Sequence, residues 1–295
     1  MNFKKLKQQV AFSMAYRLLS HQPRAASRKF GGVDLKVYPH PKEHEKCLVI
    51  GNGPSLKKNL ATLAEQKQQA DFVTVNHFSE DPIFADLKPT KHVLLDAYFW
   101  AADAAEELKQ KRKKFYTSLT KVDWPLTLYA PSTADQEYMR CMVINENIRL
   151  VFFGGCPVTR IPLKIPTSMT ANLYETSDLV PPVCNVLIYA VFIAVLTGYA
   201  QIDIYGADLS FHMDVQVDQQ SNQLLMSYTH YYGKTELVPW RKNPQRTQRF
   251  TMHELMSLTS DTYYAHKSIY AMAKKRHISI HNKSSFSLID VYPRA

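Results

Sequence analysis

Residues 46–55, with the sequence KCLVIGNGPS, limit the possible folds of this chain more than any other stretch. A short apolar run leads directly into a Gly-Asn-Gly-Pro-Ser turn, and an amphipathic segment follows with Leu56, Leu60 and Leu63 on one face. This order is typical of a βα unit, in which free backbone N–H groups at the helix start favour anions. The stretch therefore predicts either a nucleotide or phosphate site or an ordinary βα turn.

Short apolar runs alternate with helical patterns along the rest of the chain. Strands are predicted at residues 47–50, 71–75, 92–95, 126–130, 149–153, 202–205 and 278–281, and helices at 55–68, 99–114, 132–142, 183–197 and 251–276. Such alternation predicts an α/β fold with a single Rossmann-like, mainly parallel sheet and helices on both faces. Ligands bind beyond the carboxyl ends of such strands, so four residues that follow predicted strands are candidate ligand contacts: Asn52, Asn76, Asp96 and Asp208.

Two segments differ from this central pattern. Residues 1–30 place apolar side chains at helical spacing with lysines and arginines between them, and a connector continues to residue 45. Such a helix either lies on an anionic membrane surface or packs against the body of the protein. Residues 46–295 are predicted to form one large domain. Within it, the long polar segment 209–249, which carries histidine and several tyrosines, is predicted to be a lid.

The net charge indicates the class of partner, and the cysteines indicate the cellular compartment. The formal net charge of +10 favours an anionic partner: nucleic acid, an anionic membrane surface or a phosphorylated substrate. Nucleic acid is the least favoured, because the chain lacks an RNP motif, a zinc finger and a basic recognition helix. The four cysteines lack a metal-binding spacing and are expected to be buried in a reducing compartment. No signal peptide and no membrane span are expected, so the predicted location is cytoplasmic.

Several common catalytic motifs are absent from the sequence. The chain contains no Walker A motif, no G-x-S-x-G, no H-E-x-x-H and no D-x-D pair. If the protein transfers a group from a nucleotide, we expect it to work without a bound metal or another cofactor. The charge of the leaving group would then be stabilised by hydroxyls, amides and basic side chains.

Five motifs occur in the order found in the bacterial sialyltransferases of glycosyltransferase family 42, which this chain resembles from about residue 47 to its end. They are IGNGPSL at 50–56, VNHF at 75–78, GY and IYGAD within 198–208, THYYG at 229–233 and IHNKSSF at 280–286. Motility-associated and pterin-diphosphokinase-like proteins share the first motif. The THYYG stretch, which lies in the long lid segment, is the more specific match.

The resemblance implies a metal-free, inverting transferase of the GT-A-like type that uses a CMP-activated nonulosonic acid. It implies that His230 is the catalytic base. The implied contacts to the donor are Asn52, Gly53 and Ser55 at the nucleotide and its phosphate, Asn76 and Asp96 after two strands, Asp208 at the nucleoside, and Ser284 and Ser285 in an enclosing loop. Tyr231 or Tyr232 could stabilise the leaving phosphate. The acceptor would be a lipid-linked or lipopolysaccharide glycan at the inner face of the bacterial inner membrane.

The sequence also departs from the family pattern. Residues 181–185 (PPVCN) lack the arginine that the family places before a Ser-Gly pair, and Asp96 stands where the family has asparagine. Ser210, Phe211 and His212 follow the Gly-x-Asp motif in place of tyrosines. Because these changes concern the donor, a transferase for another nucleotide sugar remains an alternative, as does a diphosphokinase-like or motility-associated protein. The sequence leaves the oligomeric state open, including a homo-oligomer.

Overall fold

The computed structural model describes residues 32–157, 166–177, 179–227 and 229–294. At the centre of the described part lies an eight-stranded sheet in which every neighbouring pair of strands is parallel. In chain order the strands are β1 (Val33–Asp34), β2 (Lys46–Ile50), β3 (Asp71–Val75), β4 (Lys91–Val93), β5 (Leu126–Pro131), β6 (Ile148–Gly154), β7 (Gln201–Tyr205) and β8 (Ser279–Asn282). The α/β fold class predicted from the sequence is thereby confirmed.

Helices cover both faces of this sheet. The α-helices of the described residues are α1 (Leu60–Glu65), α2 (Ile83–Leu87), α3 (Glu106–Leu119), α4 (Gln136–Met142), α5 (Thr167–Thr176), α6 (Val186–Thr197) and α7 (Met252–Lys275). Short 3₁₀-helices lie at Pro54–Lys58, Asn76–Glu80, Ala97–Phe99 and Phe211–Met213. Because side chains alternate along a strand, Val49 joins the apolar cluster on one face, while Leu48 and Ile50 join the cluster on the other.

Helix α6 is apolar on nearly every side because it is enclosed. It packs against β2, β3 and β4 and is covered by α7. A helix without a polar face is stable only in such a position. At its start the side chain of Asn185 accepts a hydrogen bond from the Leu187 N–H (2.8 Å), and at its end Gly198 takes a left-handed conformation with φ of 77°.

The helix and strand predictions were close in position but not in every boundary. The predicted helix 55–68 is a 3₁₀-helix followed by α1, and the predicted helix 99–114 begins only at Glu106. The predicted connector contains strand β1, which pairs with β6 at the sheet edge. The predicted amphipathic helix at residues 1–30 lies outside the described residues. Among the described residues, no helix has both the length and the apolar character needed to cross a membrane.

The strand order β1-β6-β5-β4-β3-β2-β7-β8 creates one topological switch point. The chain proceeds from β2 outward to β6 and then returns to β7, which pairs with the other side of β2. The carboxyl ends of β2 and β7 therefore lie side by side while the chain leaves them in different directions. In open α/β sheets this crevice is the usual ligand site.

The segment predicted as a lid, residues 209–249, contains short antiparallel strands. Three of them, Val215–Val217, Leu224–Met226 and Val238–Pro239, form a small sheet, and Thr229–His230 pairs with Gly233–Lys234 in a hairpin. A capping box between Thr251 and Glu254 then starts α7. The lid lies against the body, because the Tyr231 N–H donates to the Asn52 carbonyl (3.2 Å).

Candidate functional site

Two glycine turns interlock at the switch point. The Gly53 N–H donates to the Gly206 carbonyl (2.8 Å), and the Gly51 N–H donates to the Tyr205 carbonyl (2.8 Å). A Cβ atom on Gly53 would lie 2.6 Å from the Gly206 oxygen and would also overlap the carboxylate of Asp208. Glycine is required here because the two turns leave no space for a side chain.

Asp208 caps the start of the first 3₁₀-helix. Its carboxylate accepts hydrogen bonds from the Ser55 N–H (3.0 Å) and from the Ser55 hydroxyl (2.5 Å). Burial raises the pKa of Asp208, and the hydrogen bonds from Ser55 act in the opposite direction. The N–H and the hydroxyl that were predicted to hold a phosphate are thus already bonded to an anion of the protein itself.

The loop after β8 supports the second turn from behind. The Ala207 N–H donates to the Ser284 hydroxyl (2.9 Å), and the Leu288 N–H donates to the Asp208 carbonyl (2.9 Å). Ser284 is buried, whereas Ser285 is exposed. Ser284, predicted to enclose the nucleotide, lies where it positions Asp208, and neither serine lines the two cavities described below.

Asn76 has a left-handed backbone conformation, with φ of 47°, that a buried histidine holds in place. Its carbonyl oxygen lies 2.8 Å from Nε2 of His92 and can only accept, so this nitrogen carries the proton. Burial lowers the pKa of His92 to about 3, so its ring is neutral and Nδ1 accepts from the Thr74 hydroxyl (2.7 Å). The side chain of Asn76 then donates to the Asp96 carboxylate (2.9 Å). No motif in the sequence pointed to His92.

The two asparagines of the site have unused acceptors. Asn52 donates its side-chain N–H to the Val75 carbonyl (3.2 Å). The side-chain oxygens of Asn52 and Asn76 are buried and accept no hydrogen bond from a described residue. A buried polar atom without a partner costs free energy, which a ligand hydroxyl or amino group would recover.

His230 lies half-buried in the lid hairpin, and its ring stacks on Tyr232 with the centroids 4.9 Å apart. Burial lowers the pKa of His230 to about 4; the charge of Lys111 acts in the same direction, and a hydrogen bond with the Asn52 backbone opposes it. The imidazole is therefore neutral near pH 7 and able to accept a proton. Desolvation of the carboxyl group raises the pKa of the neighbouring Asp96.

Tyr231 and Tyr232 have different environments although they are adjacent. The Tyr231 phenol is buried, packs on Phe78 and donates to the Asp81 carboxylate (2.9 Å). Burial is also the main reason why the pKa of Tyr231 is raised. Tyr232 is half exposed and lines a cavity. Of the two tyrosines that could stabilise a leaving phosphate, only Tyr232 faces one of the two cavities among the described residues.

Two cavities meet at these side chains. The first, here called the switch-point cleft, has a volume of about 410 Å³ and is walled by both glycine turns, by the start of α6 and by lid aromatics such as Trp240. The second, here called the lid cavity, has a volume of about 710 Å³ and lies between α3 and the lid. The two share Asn52, Asn76, Asp96, His230, Arg241 and Lys242. Sequence reasoning missed the two cations, which lie in a lid stretch without a motif.

A group with potential metal ligands lies elsewhere. Within the described ranges, Glu43, His44 and Asp71 are the three acidic or histidine side chains whose ligand atoms lie within 4.8 Å of one another. Asp71 begins β3, so the group is at the amino edge of the sheet, opposite the site. Its carboxylate already accepts hydrogen bonds from the Glu43 N–H (3.0 Å) and the Tyr199 hydroxyl (2.7 Å). The group is a structural anchor for the start of this strand.

No family model matches the chain, and no curated protein matches it. The chain is similar to a solved structure described as MAf glycosyltransferase from Magnetospirillum magneticum AMB-1, at 14% sequence identity and a TM-score of 0.48. The similarity covers 88% of this chain and 34% of that chain, so this protein spans about a third of its length. At these values the function has to be argued from the site.

Proposed function

We propose that the protein is a glycosyltransferase that moves a sialic-acid-like nonulosonic acid from a CMP-activated donor to a cell-surface glycan. One observation carries the proposal: the neutral imidazole of His230 lies where the switch-point cleft and the lid cavity meet. A transferase must bring two substrates to one reaction centre in the right geometry. A donor in the cleft and an acceptor in the lid cavity would both reach His230.

The donor nucleoside is assigned to the switch-point cleft. Asn52 and Asn76 offer unused buried acceptors there, and carboxylates such as Asp96 suit ribose or sugar hydroxyls. The donor phosphate is assigned first to Arg241, which bonds the neutral amide of Gln223, rather than to the helix start, because Asp208 already occupies the N–H of Ser55. Lys242 lies beside it and would exchange its ion pair with Glu254 (2.6 Å) for the phosphate. Both cations line the cleft and the lid cavity, next to His230.

The reaction then needs one proton acceptor and a stabilised leaving group. His230 takes the proton of the acceptor hydroxyl while that oxygen bonds to the anomeric carbon of the donor sugar. The bond from this carbon to the phosphate oxygen breaks, and CMP leaves with the electron pair. Attack from the face opposite the phosphate inverts the anomeric centre, through a transition state of oxocarbenium character. Arg241 and Lys242 would stabilise the charge of the phosphate, so no metal is required in this scheme.

CMP is expected to stabilise the protein in buffer that contains EDTA. A ligand at 100 times its dissociation constant stabilises the fold by about 2.7 kcal/mol, which is measurable as a thermal shift. The screen would compare CMP, CDP, UDP, GDP and ATP with and without manganese. Stabilisation by UDP that depends on manganese would contradict the proposal. Stabilisation by ATP, increased further when a pterin is added, would favour the diphosphokinase-like alternative.

The acceptor is proposed to be a lipid-linked or lipopolysaccharide glycan, with the protein held at the cytoplasmic face of the inner membrane by residues 1–30. Deleting these residues is expected to lower binding to vesicles that contain anionic lipid, because lysines and arginines interleave with their apolar stripe. Vesicle sedimentation measures the binding, and neutral vesicles are the control. Equal binding by the full-length and shortened proteins would show that the segment is not a membrane anchor.

A further inference from the structure

One side of the lid cavity is closed because the tip of the lid is attached to the start of α3. The Ala105 N–H donates to the Pro244 carbonyl (2.9 Å), and the Gln245 side chain donates to the Asp103 carboxylate (2.5 Å). Arg246 pairs with Glu107 at 2.9 Å. These contacts hold the lid turn that contains Pro244 against the start of α3, and the lid cavity lies between the two.

Positive charge dominates the wall of this cavity. Among the described residues that line it, the cations are Lys111, Arg241, Lys242 and Arg246, and the carboxylates are Asp96 and Glu107. Arg241 donates to a neutral amide, that of Gln223 (2.9 Å), so no carboxylate offsets its charge in this contact. The Lys111 ammonium lies 5.7 Å from the centre of the Tyr98 ring. Lys242 pairs with Glu254 (2.6 Å) and Arg246 with Glu107 (2.9 Å), so the four cations face three carboxylates, those of Asp96, Glu107 and Glu254, and the cavity keeps a formal excess of one positive charge.

The four cations divide into two groups by position. Arg241 and Lys242 line both cavities and lie where the donor phosphate is assigned. Lys111 and Arg246 line the lid cavity and do not contribute to the wall of the switch-point cleft. Their charge therefore acts on whatever occupies the lid cavity, with Arg246 held in place there by its pair with Glu107.

We infer that the lid cavity binds an acceptor that carries an anionic group, a phosphate or a carboxylate, through Lys111 and Arg246. That the bound anion belongs to the acceptor rests on the proposed function, whereas the anion site itself rests only on the residues that line the cavity. The guanidinium of an arginine donates two parallel hydrogen bonds to two oxygens of such a group, and the ammonium of a lysine adds a compact positive charge.

The test is calorimetric titration of the full chain, saturated with CMP, with glucose 6-phosphate, glucuronate and glucose. The two charged sugars are expected to bind about ten times more tightly than glucose, which corresponds to about 1.4 kcal/mol. The tighter of the two identifies phosphate or carboxylate as the group. Arg246→Gln and Lys111→Gln should each lower this affinity about tenfold. Arg246→Lys should keep most of it.

Lys113→Gln is the matched control. Lys113 lies on the same helix and is exposed, as Lys111 is, but it lines a separate groove with Glu80 and Ser118, and its loss removes the same charge. Lys113→Gln should leave the affinity for the charged sugars unchanged. A loss equal to that of Lys111→Gln would show that only the overall positive charge of the protein attracts these sugars, and it would overturn the inference. Equal affinity for glucose would also overturn it. So would a loss of CMP affinity in Arg246→Gln, because the cation would then serve the donor.

The inference and the proposed function can fail separately. If CMP does not bind but the charged sugars bind with this pattern of variants, the CMP donor is wrong and the anion site stands. If CMP binds and the charged sugars do not, the donor site stands and the anion site is wrong.

Discussion

His230→Ala is expected to lower turnover by about two to four orders of magnitude, the usual worth of a positioned proton acceptor. It should leave the affinity for CMP nearly unchanged, since the nucleotide is assigned to Asn52, Asn76 and the two lid cations. Asn52→Ala should do the reverse and weaken CMP binding first. Transfer rate at saturating donor, paired with calorimetry on the same preparations, separates the two roles.

His212→Ala is the matched control for this variant. His212 is also a half-buried lid histidine, and its ring contacts Phe211 and Tyr263. It does not line the lid cavity or the switch-point cleft as far as the described residues define them. Its loss should therefore leave turnover near the wild-type rate. Wild-type turnover in His230→Ala, together with loss in His212→Ala, would move the role of base to His212.

The pH dependence of kcat/KM is a second test of His230 as the proton acceptor. The free protein holds the pKa of His230 at about 4, so the imidazole is neutral above that pH and protonated below it. Only the neutral form accepts a proton, so kcat/KM should be flat toward neutral pH and fall about tenfold per pH unit below pH 4. This acid limb should be absent from the residual activity of His230→Ala. Both profiles require a buffer range in which the fold is intact by circular dichroism.

Gly53→Ala is expected to lower the free energy of unfolding by about 1–3 kcal/mol, the usual cost of overpacking. The backbone of Gly53, with φ of −66°, suits any residue, so the penalty comes from space alone. The new methyl group would press against the Gly206 carbonyl and the Asp208 carboxylate. Because these atoms hold the two turns together, CMP affinity should also fall more than tenfold. Urea unfolding and calorimetry measure the two effects.

Gly198→Ala is the control, because its loss of stability would come from backbone strain and not from lack of space. Gly198 ends α6 in a left-handed conformation with φ of 77°, and no atom lies within 4 Å of the position of a new Cβ. Its replacement should cost about 1–2 kcal/mol through backbone strain and should leave CMP affinity unchanged. A Gly53→Ala protein with wild-type CMP affinity would show that the interlocked turns do not shape the nucleotide site.

The strands were the easiest elements to predict from the sequence. β3 lies at the predicted residues, and β2, β5, β6 and β7 extend theirs by one residue at one or both ends. Strands buried on both faces must be unbroken apolar runs, so the pattern is present in the residues themselves. β1 was missed because two residues at a sheet edge show no periodicity. Helix starts were missed where a 3₁₀-helix or a loop precedes the helix, since local tertiary contacts decide those boundaries.

Part of the candidate site was singled out from the sequence, and its role stays a prediction. Asn52, Asn76, Asp96 and His230 were singled out from strand ends and from one motif, and the structure brings them to the edge shared by two cavities. Arg241 and Lys242 also line that edge but were not predicted. Basic residues in a polar lid look like any solvated surface charge until the lid is placed against the body.

The sequence by itself determined the parallel sheet, the glycine turn at the end of β2 and the positions of polar residues after the strands. These properties follow from local hydrophobic pattern and from backbone freedom, which each short stretch carries alone. Only the tertiary structure decided which partner each polar group has. Asp208 is 153 residues from Ser55 and Tyr231 is 150 residues from Asp81, yet both pairs are hydrogen-bonded. Strand order sets such distances, and a single sequence does not state the strand order.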